Sequence, residues 1–169
     1  ITPPGGGGGI GSGSGAVAIR IGFQRSPDHT LSAPRIALSD NNTALVAWQE
    51  DFPNDSSVWI NVLSNNRWDT AMAIDTQDSI DPQVAVDPIG NGVVVWTRQT
   101  YDANHSNIID NTVWAQRYVN GAWQPATRIS AAPAPDFFAF SPAVAIDVNG
   151  HILAVWTQHA TATPVHGIW

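Results

Sequence analysis

The chain contains no cysteine and no lysine, and only one methionine among its 169 residues. The absence of cysteine excludes disulfides and cysteine-based metal sites within these residues. The acidic residues are thirteen aspartates and the single Glu50, against seven arginines, which gives a net charge of −7. Because nucleic acids and anionic membrane surfaces attract clustered cations, this composition argues against both as partners.

Helical patterns and long apolar runs are missing as well. No apolar run is long enough to span a membrane, and no extended segment has helical periodicity. The chain is rich in turn-forming residues, with 14 Gly and 12 Pro, and its apolar content of 43% is enough for a sizeable core. These features predict an all-β fold.

An internal repeat organises the chain. Three segments align without gaps, each with Trp fourteen residues after Pro: Pro34 to Trp48, Pro82 to Trp96 and Pro142 to Trp156. Each segment passes through Asn or Gly residues, which tolerate the positive backbone angles of tight hairpins. Each then has an apolar run that ends in Trp, which predicts a strand buried on both faces.

The second half of the repeat adds two further strands. Trp59 and Trp114 are each followed nine residues later by another Trp, across the turn residues Asn65-Asn66 and Asn120-Gly121. The best-preserved copy predicts four strands, at about residues 82–87, 92–99, 111–119 and 121–129. One repeat is therefore predicted to be a four-stranded antiparallel meander.

Four short antiparallel strands per copy are the blade of a β-propeller, in which sheets pack face to face around an axis. The predicted divisions are a Gly/Ser/Pro-rich linker at 1–15, an isolated strand and connector at 16–32, blade 1 at 33–81, blade 2 at 82–141 and a partial blade 3 at 142–169. About two and a half blades leave the ring incomplete. We expect the remaining strands to come from a longer polypeptide or from another chain that pairs with the open strand edges.

The repeat residues resemble those of secreted and surface-attached bacterial β-propellers of the broad sialidase-like kind. The resemblance covers residues 33–169 and rests on the phrase Pro-x-Val-Ala-Val-Asp, a Gly turn, Val-Trp, and then Trp-Ala-x-Arg-Tyr-x-x-Gly-x-Trp. It implies a secreted or cell-surface location in a bacterium, and the Gly-rich start resembles the tether of surface lipoproteins. The Asp-box of true sialidases is absent from the turn at 119–123, so the sequence departs from the pattern of that enzyme family there, and the resemblance indicates architecture rather than activity.

Candidate ligand-binding residues lie where the repeat is interrupted, in the loops between the second and third strands and in an aromatic connector. Loops on a rigid scaffold commonly carry specificity, and aromatic rings beside Asn, Asp and Gln suit a glycan or a protein partner. Most of the Trp residues, which hold fixed repeat positions, are predicted to be core. The candidates are Phe52, Tyr101, His105, Phe138 and His159.

Asp75, Asp78 and Asp81 are candidate calcium ligands, because they lie three residues apart in the connector between the first two blades. Their spacing does not match an EF-hand loop, and no other cofactor is expected. Asp87 and Asp147 recur at one repeat position before a turn, where a capping role explains them.

The sequence favours a non-enzymatic module for binding or scaffolding that contacts a protein or a glycan. The residues that sialidase-like chemistry would use form no recognised motif; they are Arg98, Arg117, Tyr101, Tyr118 and Glu50. Two alternatives remain open. One is a part of a carbohydrate-active propeller, either a lectin or a sialidase-like enzyme. The other is a structural subunit of a surface assembly or filament completed by strand pairing between chains.

Overall fold

The computed structural model describes residues 19–22, 26–130, 137–160 and 163–169. These residues form antiparallel and mixed β-sheets, none of which closes on itself, and none of them is helical. The predicted all-β class is therefore confirmed. Over the same residues there is no helix with the length and apolar character needed to cross a membrane. The linker predicted at 1–15 lies outside the described residues.

The first unit is an antiparallel meander. Its strands are β1 (Thr30–Leu38), β2 (Ala44–Phe52), β3 (Asp55–Ser64), β4 (Arg67–Trp68) and β5 (Met72–Asp75). β2 lies between β1 and β3, and both β4 and β5 pair with β3. β4 and β5 together take the place of a fourth strand.

The second unit repeats this arrangement. Its strands are β6 (Ser79–Val86), β7 (Gly92–Tyr101), β8 (Ile108–Val119), β9 (Ala122–Trp123) and β10 (Thr127–Arg128). The sequence predicted one strand at about 121–129, whereas β9 and β10 pair separately with β8. The interruption contains Pro125, which has no N–H to donate to the ladder.

The third unit consists of three antiparallel strands, which pair in the order in which they occur along the chain. They are β11 (Phe137–Ile146), β12 (Ile152–Ala160) and β13 (Thr163–Ile168). β11 also joins the second unit through a parallel pairing with β8, where Phe138 lies opposite Asn111.

The first strand of each unit begins before the repeat's proline, where the sequence predicted it to start. β1, β6 and β11 each change register at that proline, between Ser32 and Arg35, between Ile80 and Gln83, and between Phe140 and Ala143. The residue before each proline has a positive φ, at 48° for Ala33, 52° for Asp81 and 52° for Ser141. The missing N–H therefore produces a β-bulge rather than a strand end.

The predicted tight turns are confirmed by the backbone angles. One repeat position has a positive φ in all three units, at Asn42, Gly90 and Gly150, and the later turns have it at Asn65, Asn66, Asn120 and Gly121. Asp87 caps its turn, since its Oδ1 accepts the N–H groups of Ile89 at 3.0 Å and Asn91 at 2.9 Å. Asp147 caps the corresponding turn of the third unit in the same way.

The units stack face against face. β6 packs on β1, β2 and β3, and β11 packs on β6, β7 and β8. The apolar run of the second repeat is buried on both sides, as predicted, with Val93, Val94 and Val95 at most 1% exposed. The core between the first two units is built from Leu45, Ala47, Val58, Ile60, Val62, Val94, Trp96 and Tyr118.

Residues 19–22 lie on the other side of the first unit. Ile21 packs near Trp48, and its carbonyl accepts a hydrogen bond from Asn61 Nδ2 at 3.1 Å. These four residues are not part of a strand, although the sequence predicted an isolated strand at the start of the segment 16–32. The other residues of that predicted strand lie outside the described residues.

Candidate binding cleft

A cleft of about 520 Å³ opens between the first two units, where the β2–β3 hairpin faces the β7–β8 loop. These connections lie at the end of the sheets opposite the capped turns. The side chains that give the cleft its chemistry are Asp51, Phe52, Asp55, Asp78, Tyr101 and His105.

Two carboxylates, one from the start of β3 and one from the connector between β5 and β6, lie close together in this cleft. Asp55 Oδ1 accepts the backbone N–H of Asp78 at 3.1 Å, and it also accepts the N–H of Ser56 at 2.7 Å. Burial, followed by the negative charge of Asp55, raises the pKa of the Asp78 carboxyl above its ordinary value, while His105 acts in the opposite direction. A cation between the two carboxylates would relieve their repulsion.

The third carboxylate is fixed by the first two strands. Asp51 accepts hydrogen bonds from Ser32 Oγ at 3.0 Å and from the Gln49 side-chain amide. Gln49 Oε1 in turn accepts the backbone N–H of Asp81 at 3.0 Å. These bonds connect the wall formed by the first unit to the first strand of the second unit.

The β7–β8 loop is shaped by Asp102. Its carboxylate accepts the N–H of Ser106 at 2.8 Å and Asn107 Nδ2 at 2.7 Å, and these bonds lower the pKa of the Asp102 carboxyl. His105 has a φ of 53° in this loop, and its ring stacks on Tyr101 with centroids 4.1 Å apart. His105 Nε2 then lies 3.6 Å from Asp78 Oδ1, so the loop places an imidazole ring beside the carboxylate pair.

Three of the five predicted ligand-binding residues meet in this cleft. Phe52, Tyr101 and His105 all line it. Phe52 and Tyr101 are the last residues of β2 and β7, because both strands continue past the repeat's Trp and leave shorter connections than predicted. Phe52 is also supported by an edge-on contact with His29, with ring centroids 4.2 Å apart.

The other two predicted residues meet elsewhere, in the third unit. Phe138 and His159 face each other across β11 and β12, and their rings stack with centroids 5.4 Å apart. Phe140 packs edge-on against the same His159 ring at 5.5 Å. His159 therefore lies in a strand rather than in the irregular loop that the sequence predicted.

The three predicted calcium ligands point to different partners. Asp75 accepts a hydrogen bond from Arg98 Nε at 2.9 Å, Asp81 lies 3.8 Å from Arg35 Nη2, and Asp78 faces the cleft. Among the residues that the structure describes, no three His, Cys, Asp or Glu side chains are grouped to hold a metal ion. The predicted calcium set is not assembled.

The residues considered for sialidase-like chemistry have separate structural partners. The Arg98 guanidinium lies 4.0 Å over the ring of Trp114, and Tyr118 is buried in the core between the first two units. Glu50 is almost fully buried, with its Oε1 3.0 Å from His29 Nδ1. None of these contacts assembles a catalytic group in the cleft.

Sequence reasoning missed Asp55 and its pairing with Asp78. The two residues are 23 positions apart, one at the start of β3 and the other in the connector to the second unit. A usable signal was present, because the hairpin between the second and third strands of a meander lies at the same sheet end as the connector to the next unit. Acidic residues in these two segments are therefore expected to lie close together.

A second cavity, of about 460 Å³, lies at the turn end of the sheets. Its walls include Asn41, Asn65 and Asn120. Asn65 and Asn120 have positive φ angles, and Asn41 Nδ2 donates to the Ile89 carbonyl at 2.6 Å. The turns themselves explain these asparagines, so this cavity is a weaker candidate than the cleft.

Comparison with known proteins adds no assignment. No family model and no curated protein gives a significant match to the chain. The function is therefore inferred from the geometry and charge of the cleft.

Proposed function

We propose that the three units are blades of a β-propeller, and that the third blade contributes three strands. The support for this proposal is that equivalent segments of the three units lie around a single cavity. The segments 38–40, 86–88 and 146–148, which follow the first strand of each unit, line one cavity of about 320 Å³. A propeller predicts this arrangement, because equivalent strands of its blades surround a common axis.

This propeller segment is a non-enzymatic binding module, secreted by a bacterium or held at its surface. The binding role rests on the cleft, where the Asp55 carboxylate accepts the backbone N–H of Asp78 beside aromatic rings. Asp55 begins β3 directly after the β2–β3 turn, and Asp78 lies on the connection between β5 and β6. Such positions beside loops are where binding residues concentrate on rigid scaffolds. The bacterial surface location follows from the resemblance of the repeat residues.

The ligand that best fits the cleft is a Lys or Arg side chain of a partner protein. Asp51, Asp55 and Asp78 supply negative charge, whereas His105 is the single basic residue among the described side chains that line it. A guanidinium group pairs with carboxylates and stacks on aromatic rings such as Tyr101. The net charge of −7 also attracts cationic partners over longer distances.

Asp78→Asn should weaken the binding of a tetra-arginine peptide at least tenfold in isothermal titration calorimetry at neutral pH and low salt. A hydrogen bond to a charged group contributes about 1.5–3 kcal/mol, and about 1.4 kcal/mol corresponds to tenfold in affinity. Asp40→Asn is the matched control, because it removes the same charge from an exposed site at the opposite end of β2. Its affinity should equal that of the wild type.

The pH dependence provides a second readout of the same site. Because the pKa of Asp78 is raised, its carboxyl loses its charge at a higher pH than an ordinary aspartate as the solution is acidified. Peptide binding should therefore weaken as the pH falls. Equal affinities of the wild type and Asp78→Asn at neutral pH and throughout the acidification would refute the cationic ligand.

A neutral sugar is the competing ligand, favoured by the aromatic rings of Phe52 and Tyr101 beside the Gln99 side chain. Titration with methyl glycosides distinguishes the two. A glycoside that binds independently of salt and of Asp78 would support the lectin alternative instead.

A further inference from the structure

We propose that the cavity at the turn end of the first two units binds a neutral sugar, which is held by asparagine amides and by the hydroxyl of Tyr118. The volume of this cavity, about 460 Å³, lies within the roughly 300–1,000 Å³ of small-molecule sites. Its walls come from the β1–β2, β3–β4, β6–β7 and β8–β9 turns, so it lies between two units whose strands are all present. The site is separate from the cleft and does not depend on the ligand proposed there.

Hydrogen bonds between the turns hold the cavity walls in place. Asn41 Oδ1 accepts the backbone N–H of Thr43 at 2.9 Å, and Asn41 Nδ2 donates to the Ile89 carbonyl at 2.6 Å, which joins the first unit to the second. Asn91 Oδ1 accepts the backbone N–H of Asn120 at 2.9 Å. Because these bonds exist without a ligand, little order has to be created when one binds.

Four further asparagines on the walls keep their amides available. Asn42, Asn65, Asn66 and Asn120 are exposed, and their side chains make no hydrogen bond within the described part of the chain. All four have a positive φ, so the turns explain why asparagine occupies these positions. The turns do not engage the amides, however, and each amide can both donate and accept a hydrogen bond.

Tyr118 gives the cavity a nearly buried polar group. The residue is 7% exposed, and its hydroxyl makes no hydrogen bond to any residue that the structure describes. A Cβ at Gly121 would lie 4.0 Å from this hydroxyl, so glycine leaves the space above it open. Burial, followed by the charge of Asp69, raises the pKa of Tyr118, so the hydroxyl stays protonated at neutral pH. Since buried polar groups are usually paired, a ligand hydroxyl here would complete the bonding of Tyr118.

The character of the walls selects a neutral ligand. None of the described side chains that line the cavity carries a charge at neutral pH, whereas three aspartates line the cleft. An ion would lose its hydration here without meeting an opposite charge. Sugar hydroxyls donate and accept hydrogen bonds as the amides do. Ile89, which is 72% exposed, offers an apolar contact for the C–H groups of a sugar ring.

Titration of the isotope-labelled chain with the neutral methyl glycosides of glucose, galactose and mannose locates the site by nuclear magnetic resonance. At least one glycoside should shift the amide signals of residues 64–66 and 118–121. The signals of residues 49–56 and 99–105, around the cleft, should stay in place. Shifts confined to the cleft would overturn this proposal and support a sugar as the ligand of the cleft. The absence of shifts with all three glycosides would overturn it as well.

Two substitutions test the assigned groups. Tyr118→Phe and Asn120→Gly should each weaken the glycoside that binds by about twofold to tenfold, the effect of losing one neutral hydrogen bond. Phenylalanine keeps the ring beside Trp123, and glycine keeps the positive φ of the turn. Asn149→Gly is the matched control, because Asn149 is exposed in a turn of the third unit outside the cavity.

A structural role for Tyr118 and Asn120 is separated from binding by two further readouts. Circular dichroism should show unchanged β-structure in all three variants, and the urea unfolding of Tyr118→Phe should match the wild type, because the lost hydroxyl has no partner among the described residues. Each variant should still bind the tetra-arginine peptide if the cleft proposal holds. Wild-type glycoside affinity in both Tyr118→Phe and Asn120→Gly, or an equal loss in Asn149→Gly, would overturn the assignment.

Discussion

Trp96→Ala should lower the free energy of unfolding by about 3–5 kcal/mol, the usual cost of truncating a large buried aromatic residue. Trp96 is 0% exposed and belongs to the core between the first and second units. Its Nε1 also donates a hydrogen bond to Asp75 Oδ2 at 2.6 Å. Alanine would leave a cavity between two sheets and remove this bond. Urea unfolding followed by circular dichroism measures the loss.

Trp169→Ala is the control for this change. Trp169 is 61% exposed, so its truncation should change the free energy of unfolding by no more than about 0.5 kcal/mol, as for other surface substitutions. Equal losses in the two variants would contradict the stacking of the first two units around Trp96.

Asp75→Asn should lower the free energy of unfolding by about 3 kcal/mol, the lower end of the range for removing one partner of a buried ion pair. Asp75 is 6% exposed, and its Oδ2 lies 2.9 Å from Arg98 Nε and 2.7 Å from Arg98 Nη2. The Arg98 side chain is 22% exposed, so water can partly replace the lost charge. Arg98 also stays stacked over Trp114, which holds it near the vacated site. Urea unfolding at neutral pH measures the change.

A double-mutant cycle with Arg98→Met separates the ion pair from the rest of the core. Removing both charges should cost less than the sum of the single changes, because neither charge is then left buried alone. Asp40→Asn, at an exposed position, should leave the unfolding transition unchanged. Strictly additive losses for Asp75→Asn and Arg98→Met would show that the two side chains do not stabilise each other.

The repeat pattern predicted the local structure well because both depend on the same short-range chemistry. Asn65, Asn66, Asn120 and Gly121 have the positive φ angles that the hairpin interpretation required. The run from Val93 to Trp96 is buried on both faces because sheets cover both of its sides. Where one unit packs on the next, a side chain at a given repeat position meets similar neighbours, so sequence alone identifies Leu45 and Val93 as core. The equivalent Leu153 is 68% exposed, which the repeat does not predict.

The strand boundaries and the composition of the cleft could not be predicted from the repeat, because they depend on contacts that the repeat pattern does not contain. The repeat predicts strand starts at the prolines, whereas a bulge lets β1, β6 and β11 continue through them. The calcium hypothesis used spacing along the chain, but Asp75 is buried against Arg98 while Asp78 faces the cleft. Asp55 and Asp78 are 23 positions apart and meet because the β2–β3 hairpin and the connector to the second unit lie at the same end of the sheets, which no pattern within either segment predicts.

Nuclear magnetic resonance on the isotope-labelled chain tests the binding role most directly. Titration with the tetra-arginine peptide should shift the amide signals of residues 49–56, 78 and 99–105, which surround the cleft. The signals of the opposite turn end, residues 41–43 and 89–91, should stay in place. Shifts confined to that turn end, or no shifts at peptide concentrations that saturate the calorimetric signal, would contradict binding in the cleft.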